Sequence, residues 1–139
     1  GKVQILAVLT MDGCLSSELY DKAHQDLCLD RCGLDEIRKK AFYRVTPDYS
    51  ISMLHEWRKD CTNIRYLAEA TPDTADYING LLRMHAVDEI ILYTVPFISG
   101  SGRHFFKSAL PEQHWTLSSL KSFPNGVCRI IYILDKKAR

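Results

Sequence analysis

Residues 87–106, VDEIILYTVPFISGSGRHFF, run as an apolar β-type segment into Pro96 and then meet Gly100 and Gly102 just ahead of Arg103. Two glycines so close together fit a bulged turn. They fit equally well a backbone that a ligand must approach closely, since both uses depend on the missing Cβ. Asp12 and Gly13 make a second such place, with strong turn chemistry directly after the first apolar run. Thr46 with Pro47, and Thr71 with Pro72, set a capping hydroxyl before a helix-starting proline. The free amides at such a helix start can also receive an anion. Arg44 lies two residues before Thr46, while Glu69 and Ala70 directly precede Thr71.

Other constellations fall short of chemistry. His55 and Glu56 begin a zinc-protease helix pattern, but Lys59 stands where the second histidine is required. Cys28 and Cys32 share a helical spacing without a second pair to complete a four-ligand zinc set. Asp21, His24 and Asp26 gather a metal only if their segment folds around it; otherwise they are a solvated helix face. The chain shows no nucleophile elbow, no Walker loop and no basic, aromatic-interleaved stretch for nucleic acid.

The elements that must hold these residues follow from the whole chain. Its 139 residues, 46% hydrophobic, suffice for one domain with one core. A formal charge of +1 gives no global field toward nucleic acid or anionic membrane, so a charged ligand must be held by local geometry. No run of 18 apolar residues occurs, and an odd count of five cysteines suits free thiols in a reducing compartment. The expectation is a soluble, cytoplasmic protein.

Residues 3–9 are apolar almost throughout, as in a strand covered on both faces. Residues 16–32 read either as a helix or as a loop with one helical turn. LDEIRKKA, with acids first and bases last, reads as a short helix. Residues 41–46 and 63–70 are strand-like. The Thr-Pro signals predict helices over 47–57 and from Thr71 onward, the second with Ala75, Ile78, Leu81 and Leu82 as its buried stripe. Strands are expected over 87–97, near 115–120 and over 127–134, the last buried on both sides. Arg58, Lys59 and Arg65 read as a solvated charged face. The fold class is therefore α/β: a mostly parallel central sheet with helices on both faces and an antiparallel edge formed by the C-terminal strand.

KVQILAVLTMDGCLS and the 87–106 segment resemble the dihydrofolate reductase superfamily, in particular the branch containing the reductase domain of the bifunctional riboflavin-biosynthesis enzyme. Val87, Asp88, Glu89, Pro96, Gly100, Gly102 and Phe106 fall in register with that branch's motif. The resemblance covers residues 2–16 and 63–134 well and the middle poorly. It implies a single three-layer reductase-like domain over 1–139 that binds NADPH and passes hydride to a pteridine or aminopyrimidine-type heterocycle. It also implies a homodimer, with neither nucleic acid nor membrane as partner. By resemblance, Ala7, Met11, Asp12 and Gly13 form the nicotinamide shelf, and Gly100 and Gly102 let the following loop turn beside the cofactor. Arg44 and Thr46 keep part of the first phosphate clamp, with Tyr43 in place of its glycine. Ala70 and Thr71 stand at the second clamp, where Glu69 and Ala70 replace a Gly-Gly pair. Glu36, or Asp35 beside it, falls where the family carries an acid, and Asp12 with Glu36 are the candidate catalytic residues. Each of these residues also has an ordinary structural reading, as turn, cap or surface acid. A degenerate, non-catalytic nucleotide-binding or assembly domain of the same fold is the alternative.

Overall fold

A computed structural model describes residues 1–15 and 29–135. The chain order is β1 (Lys2–Leu9), β2 (Cys14–Leu15), a 3-10 turn (Leu29–Cys32), α1 (Leu34–Lys40), β3 (Tyr43–Arg44), α2 (Ile51–Trp57) and β4 (Arg65–Glu69). There follow α3 (Ala75–Arg83), β5 (Glu89–Thr94), β6 (Arg103–His104), β7 (Trp115–Ser122) and β8 (Cys128–Leu134). The main sheet has the order β3-β4-β1-β5-β8-β7, and β2 pairs with β6 in a separate two-stranded ribbon. The reading of residues 16–28, with Asp21, His24, Asp26 and Cys28, falls outside the described residues.

The apolar run at the N-terminus becomes the strand predicted for it. β1 lies between β4 and β5, parallel to both, and is buried on both faces. One face, through Val3, Ile5, Ala7 and Leu9, packs against Leu54 of α2 and Ala75, Ile78, Leu81 and Leu82 of α3. The other, through Leu6 and Val8, packs against Leu34 of α1, Leu29 and Cys32. Helices thus cover both faces as expected. Gly33, ahead of α1, has φ +82°, and a Cβ there would come 2.7 Å from Arg129 Nη1.

Several boundaries differ from the sequence reading. Both Thr-Pro pairs open turns rather than helices: Tyr49 N–H donates to Thr46 O (3.0 Å) and Thr74 N–H to Thr71 O (3.1 Å). Proline suits the second position of such a turn as well as the first of a helix, so the local signal is the same. The helices begin four residues later, α2 after Ser50, whose Oγ accepts from Met53 N–H, and α3 after Thr74. The antiparallel edge is β7, not the C-terminal strand; β8 lies inside it, between β5 and β7. With little covering β7, β8 is half-buried along most of its length instead of enclosed. At the opposite edge lies β3, a two-residue strand, and the chain passes from α2 into β4 without adding a further strand outside it.

Arg58 is not on a solvated face. It grips Asp88 with Nη2 at 2.6 Å and Nε at 3.1 Å, and the two side chains are only 10% and 7% exposed. Asp88 also accepts from Val3 N–H at 2.9 Å, so this acid fixes the start of β1 to the entrance of β5.

Candidate functional site

In open α/β sheets, ligands bind beyond the carboxyl ends of the strands where the chain's direction across the sheet reverses. Here the chain leaves β1 for β3, returns through β4, and then crosses to β5 on the other side of β1. The strands there end unevenly. Glu69, the last residue of β4, lies opposite Leu6, whereas β5 accompanies β1 until Thr94 lies opposite Leu9. The end of β1 is thus bordered by the 10–14 turn and the 70–74 turn. Ala7 is buried within β1.

Asp12 organises one border. Its Oδ1 accepts the Thr10 hydroxyl and the Ser99 N–H (3.0 Å), and its Oδ2 accepts the Gly100 N–H (3.0 Å). The hydrogen bonds from Thr10, Gly100 and Ser99 hold this carboxyl far below the usual carboxylate range. It is therefore an anionic acceptor across the neutral range and clasps the 97–100 loop against the first turn. Met11 N–H to Phe97 O (2.7 Å) and Phe105 N–H to Gly13 O (3.1 Å) complete the seam.

The two glycines of the loop do different work. Gly100 has φ +74° and open space around it, so it supplies only a left-handed turn conformation. Gly102 has no such φ; a Cβ there would lie 2.9 Å from Cys14 Cβ and collide with the Ser99 side chain. The close approach it permits is of chain against chain, on the β2–β6 ribbon.

The second border is equally cross-braced. Thr71 N–H donates to Thr74 Oγ1 (2.8 Å), and Thr74 N–H donates to Thr71 Oγ1 (3.2 Å). Thr74 Oγ1 in turn donates to Glu69 O (2.9 Å), and Ala70 N–H donates to Leu6 O (2.8 Å). Arg103 Nη1 reaches Pro72 O at 3.2 Å, linking the glycine loop to this turn. Below it, buried Asn79 donates Nδ2–H to Ala75 O and Phe105 O, both at 2.8 Å, and accepts from Lys107 N–H at 3.1 Å.

On the α1 side, Glu69 turns to two arginines. Arg38 of α1 grips its carboxylate with Nη2 and, at 3.3 Å, with Nε, and Arg44 Nη1 approaches to 3.5 Å. Thr46 accepts Asp48 N–H at 3.3 Å within its own turn. Glu36 stands on the exposed side of α1.

The structure thus joins Asp12, Gly13, Gly100 and Gly102, and ties Ala70 and Thr71 to them through Arg103. Arg44 enters through Glu69. No described contact joins Thr46 or Glu36 to this group. Sequence reasoning missed Thr10, Arg38, Thr74, Asn79 and Arg103. Only Asn79 carried a signal, four residues after Ala75 on the buried stripe. Among the described residues, two cavities lie elsewhere and use none of the candidates. One, of about 380 Å³, is beside α2 with Met53 and Met84; the other, of about 300 Å³, lies among Tyr43, Tyr49, Trp57 and Tyr66.

No family model and no curated protein matches the sequence. Solved structures do match. A riboflavin-biosynthesis-type protein from Shewanella sp. PV-4 superposes with a TM-score of 0.60 at 11% identity, over 98% of this chain and 100% of that one. Acinetobacter baumannii RibD gives 0.54 at 12% identity over 97% of this chain, which spans 58% of RibD's length. Saccharomyces cerevisiae riboflavin biosynthesis reductase Rib7 gives 0.50 at 12% identity, covering 98% of this chain and 89% of that one. The chain shares the fold of these proteins: a six-stranded, mostly parallel sheet with helices and an antiparallel edge.

Proposed function

We propose that the chain is a small reductase-type domain that holds NADPH across the end of β1 and reduces a pteridine or aminopyrimidine-type heterocycle. The observation that carries this reading is the linkage of the 10–14 turn, the 97–104 loop and the 70–74 turn to one another by the end of β1, in a fold shared with riboflavin-biosynthesis proteins. Main chain of Ala7 and Gly13 would form the shelf for the nicotinamide ring, and Arg44 would face a phosphate. When bound, the cofactor supplies the hydride. This chain's part is to position the ring and exclude water beneath the loop pinned by Asp12. Because Asp12 is engaged as an anionic acceptor, it holds the loop and does not serve as a proton source.

The test is thermal unfolding with and without millimolar NADPH, with NADH and FMN as comparisons. Occupancy near 100 times Kd adds about 2.7 kcal/mol, which for a domain of this size raises Tm by roughly 5 to 10 °C. A rise with NADPH supports the reading; no rise with any of the three removes it.

The alternative, a non-catalytic domain of the same fold, is favoured by one observation: Glu69 fills the space before Arg38 and Arg44 with a carboxylate. The reading includes a homodimer formed through β7, an edge strand eight residues long on which Leu117 and Leu120 are 52% and 64% exposed. Among the described residues no helix is long and apolar enough to cross a membrane. Cys14, Cys32, Cys61 and Cys128 are free thiols, which accords with a cytoplasmic setting.

A further inference from the structure

We infer that the cavity of about 300 Å³ among Tyr43, Tyr49, Trp57, Ile64 and Tyr66 is a binding site for a trimethylammonium group. It uses none of the residues assigned to the strand-end site. Tyr66 pairs with Val3 near the start of β1, and Ile64 O accepts Lys2 N–H at 2.9 Å, so the cavity sits by the amino ends of these strands. Its rings come from separate elements: Tyr43 from β3, Trp57 as the last residue of α2, Tyr66 from β4 and Tyr49 from the turn before α2. The register that sets Tyr43 opposite Tyr66 puts both side chains on the α2 face and turns Arg44 the other way, to Glu69. The volume is at the small end of ligand pockets and suits a compact group.

Ring geometry selects the ligand. Tyr43 and Trp57 each stack on Tyr66 with centroids 5.5 Å apart and planes inclined by 13° and 23°. Rings that close leave no slot between them for a third, so the cavity does not suit a flat heterocycle. Tyr49 instead meets Trp57 edge-on, at 88° and 6.3 Å, which makes a corner of aromatic walls. A cation sheathed in methyl groups fills such a corner: its methyls pack on the rings and its charge is drawn to their π-faces. A bare ammonium would have to give up a strong hydration shell to do the same. The polar groups point the same way. Burial first, then Tyr43, Asp60 and Tyr49, raise the Tyr66 phenol above its ordinary value, so the oxygens around it work against further negative charge. The bases nearest in the chain are engaged elsewhere: Arg44 with Glu69, Arg58 with Asp88 and Lys59 with Glu56. Arg65 precedes Tyr66 in β4 and so points to the opposite face.

The experiment is calorimetric titration of the full chain with choline and with a short peptide carrying a trimethyl-lysine, each paired with its neutral analogue in which carbon replaces the charged nitrogen. Wild type should bind a cation, and the matching neutral analogue should bind about tenfold more weakly. Choline stands for a free small molecule and the peptide for a group carried on a protein; whichever binds more tightly identifies the source. Tyr43→Leu, which keeps apolar cover but removes a ring face, should weaken cation binding about tenfold, and Tyr43→Phe should retain it. Silence from both cations, equal affinity for the neutral analogue, or a cation affinity unmoved by Tyr43→Leu overturns the inference. Tyr43 is half-exposed, so its variants should fold; if they do not, the comparison of cation with neutral analogue in wild type decides alone.

Discussion

Asp12 accepts hydrogen bonds from Thr10, Ser99 and Gly100, and the partners in the loop lie 87 and 88 residues away in the chain. Nothing local marks such a grip, so its sequence reads only as half of an Asp-Gly turn. The clasp has a definite pH signature. With its folded pKa depressed below the ordinary aspartate value of 3.8, Asp12 contributes stability that is fully present above about pH 4 and is lost as pH falls toward the folded value. The difference in Tm between wild type and Asp12→Asn should therefore be largest at neutral pH and shrink steadily below pH 4; a pH-independent difference would sink the clasp. The glycines give a matched pair. Gly100→Ala should cost about 1–2 kcal/mol through its left-handed backbone alone, and Gly100→Asn should recover part of that loss. Gly102→Ala should cost about 1–3 kcal/mol through overpacking on Cys14, and asparagine there should be worse than alanine. Chemical denaturation of the four variants separates the two causes.

Among the elements, the strands of the centre were legible because an apolar run buried on both faces leaves a continuous signature, and residues 3–9 and 87–97 carry one. The helix starts were misplaced because a Thr-Pro pair serves a turn as well as a helix, and only the tertiary packing of Leu54 and Ala75 decides where winding begins. Side chains that brace elements from afar were not legible at all. Arg58 looked like one more surface base after α2, yet its partner Asp88 is 30 residues on, at the head of β5. Removing one member of such a buried pair strands the other, so Asp88→Ala should destabilise by about 3–5 kcal/mol in urea unfolding. A loss under 1 kcal/mol would show that the pair is not buried in solution. Asn79 plays the corresponding role for the glycine loop. Asn79→Ala should cost about 1–3 kcal/mol by leaving Lys107 N–H and Phe105 O unpaired, with faster amide exchange at Lys107 as its local mark.

For the whole molecule, the α/β class and the two-sided helical cover were readable from the alternation of strand and helix, whereas the identity of the edge was not. β7 and β8 both read as strands, and only their pairing decides which one faces solvent. If β7 joins two copies, wild type should sediment as a dimer and Leu120→Lys as a monomer; a wild-type monomer would remove that interface. The order of the central strands also bears on synthesis. β1 finds both its neighbours late, pairing with β4 at residues 65–69 and with β5 at residues 89–94. During translation the segment KVQILAVL therefore leaves the ribosome well before either flanking strand exists, and must wait as an unpaired apolar stretch. A nascent chain halted before Glu89 should remain sensitive to protease and attractive to chaperones, while one released beyond Leu134 should protect its own first strand.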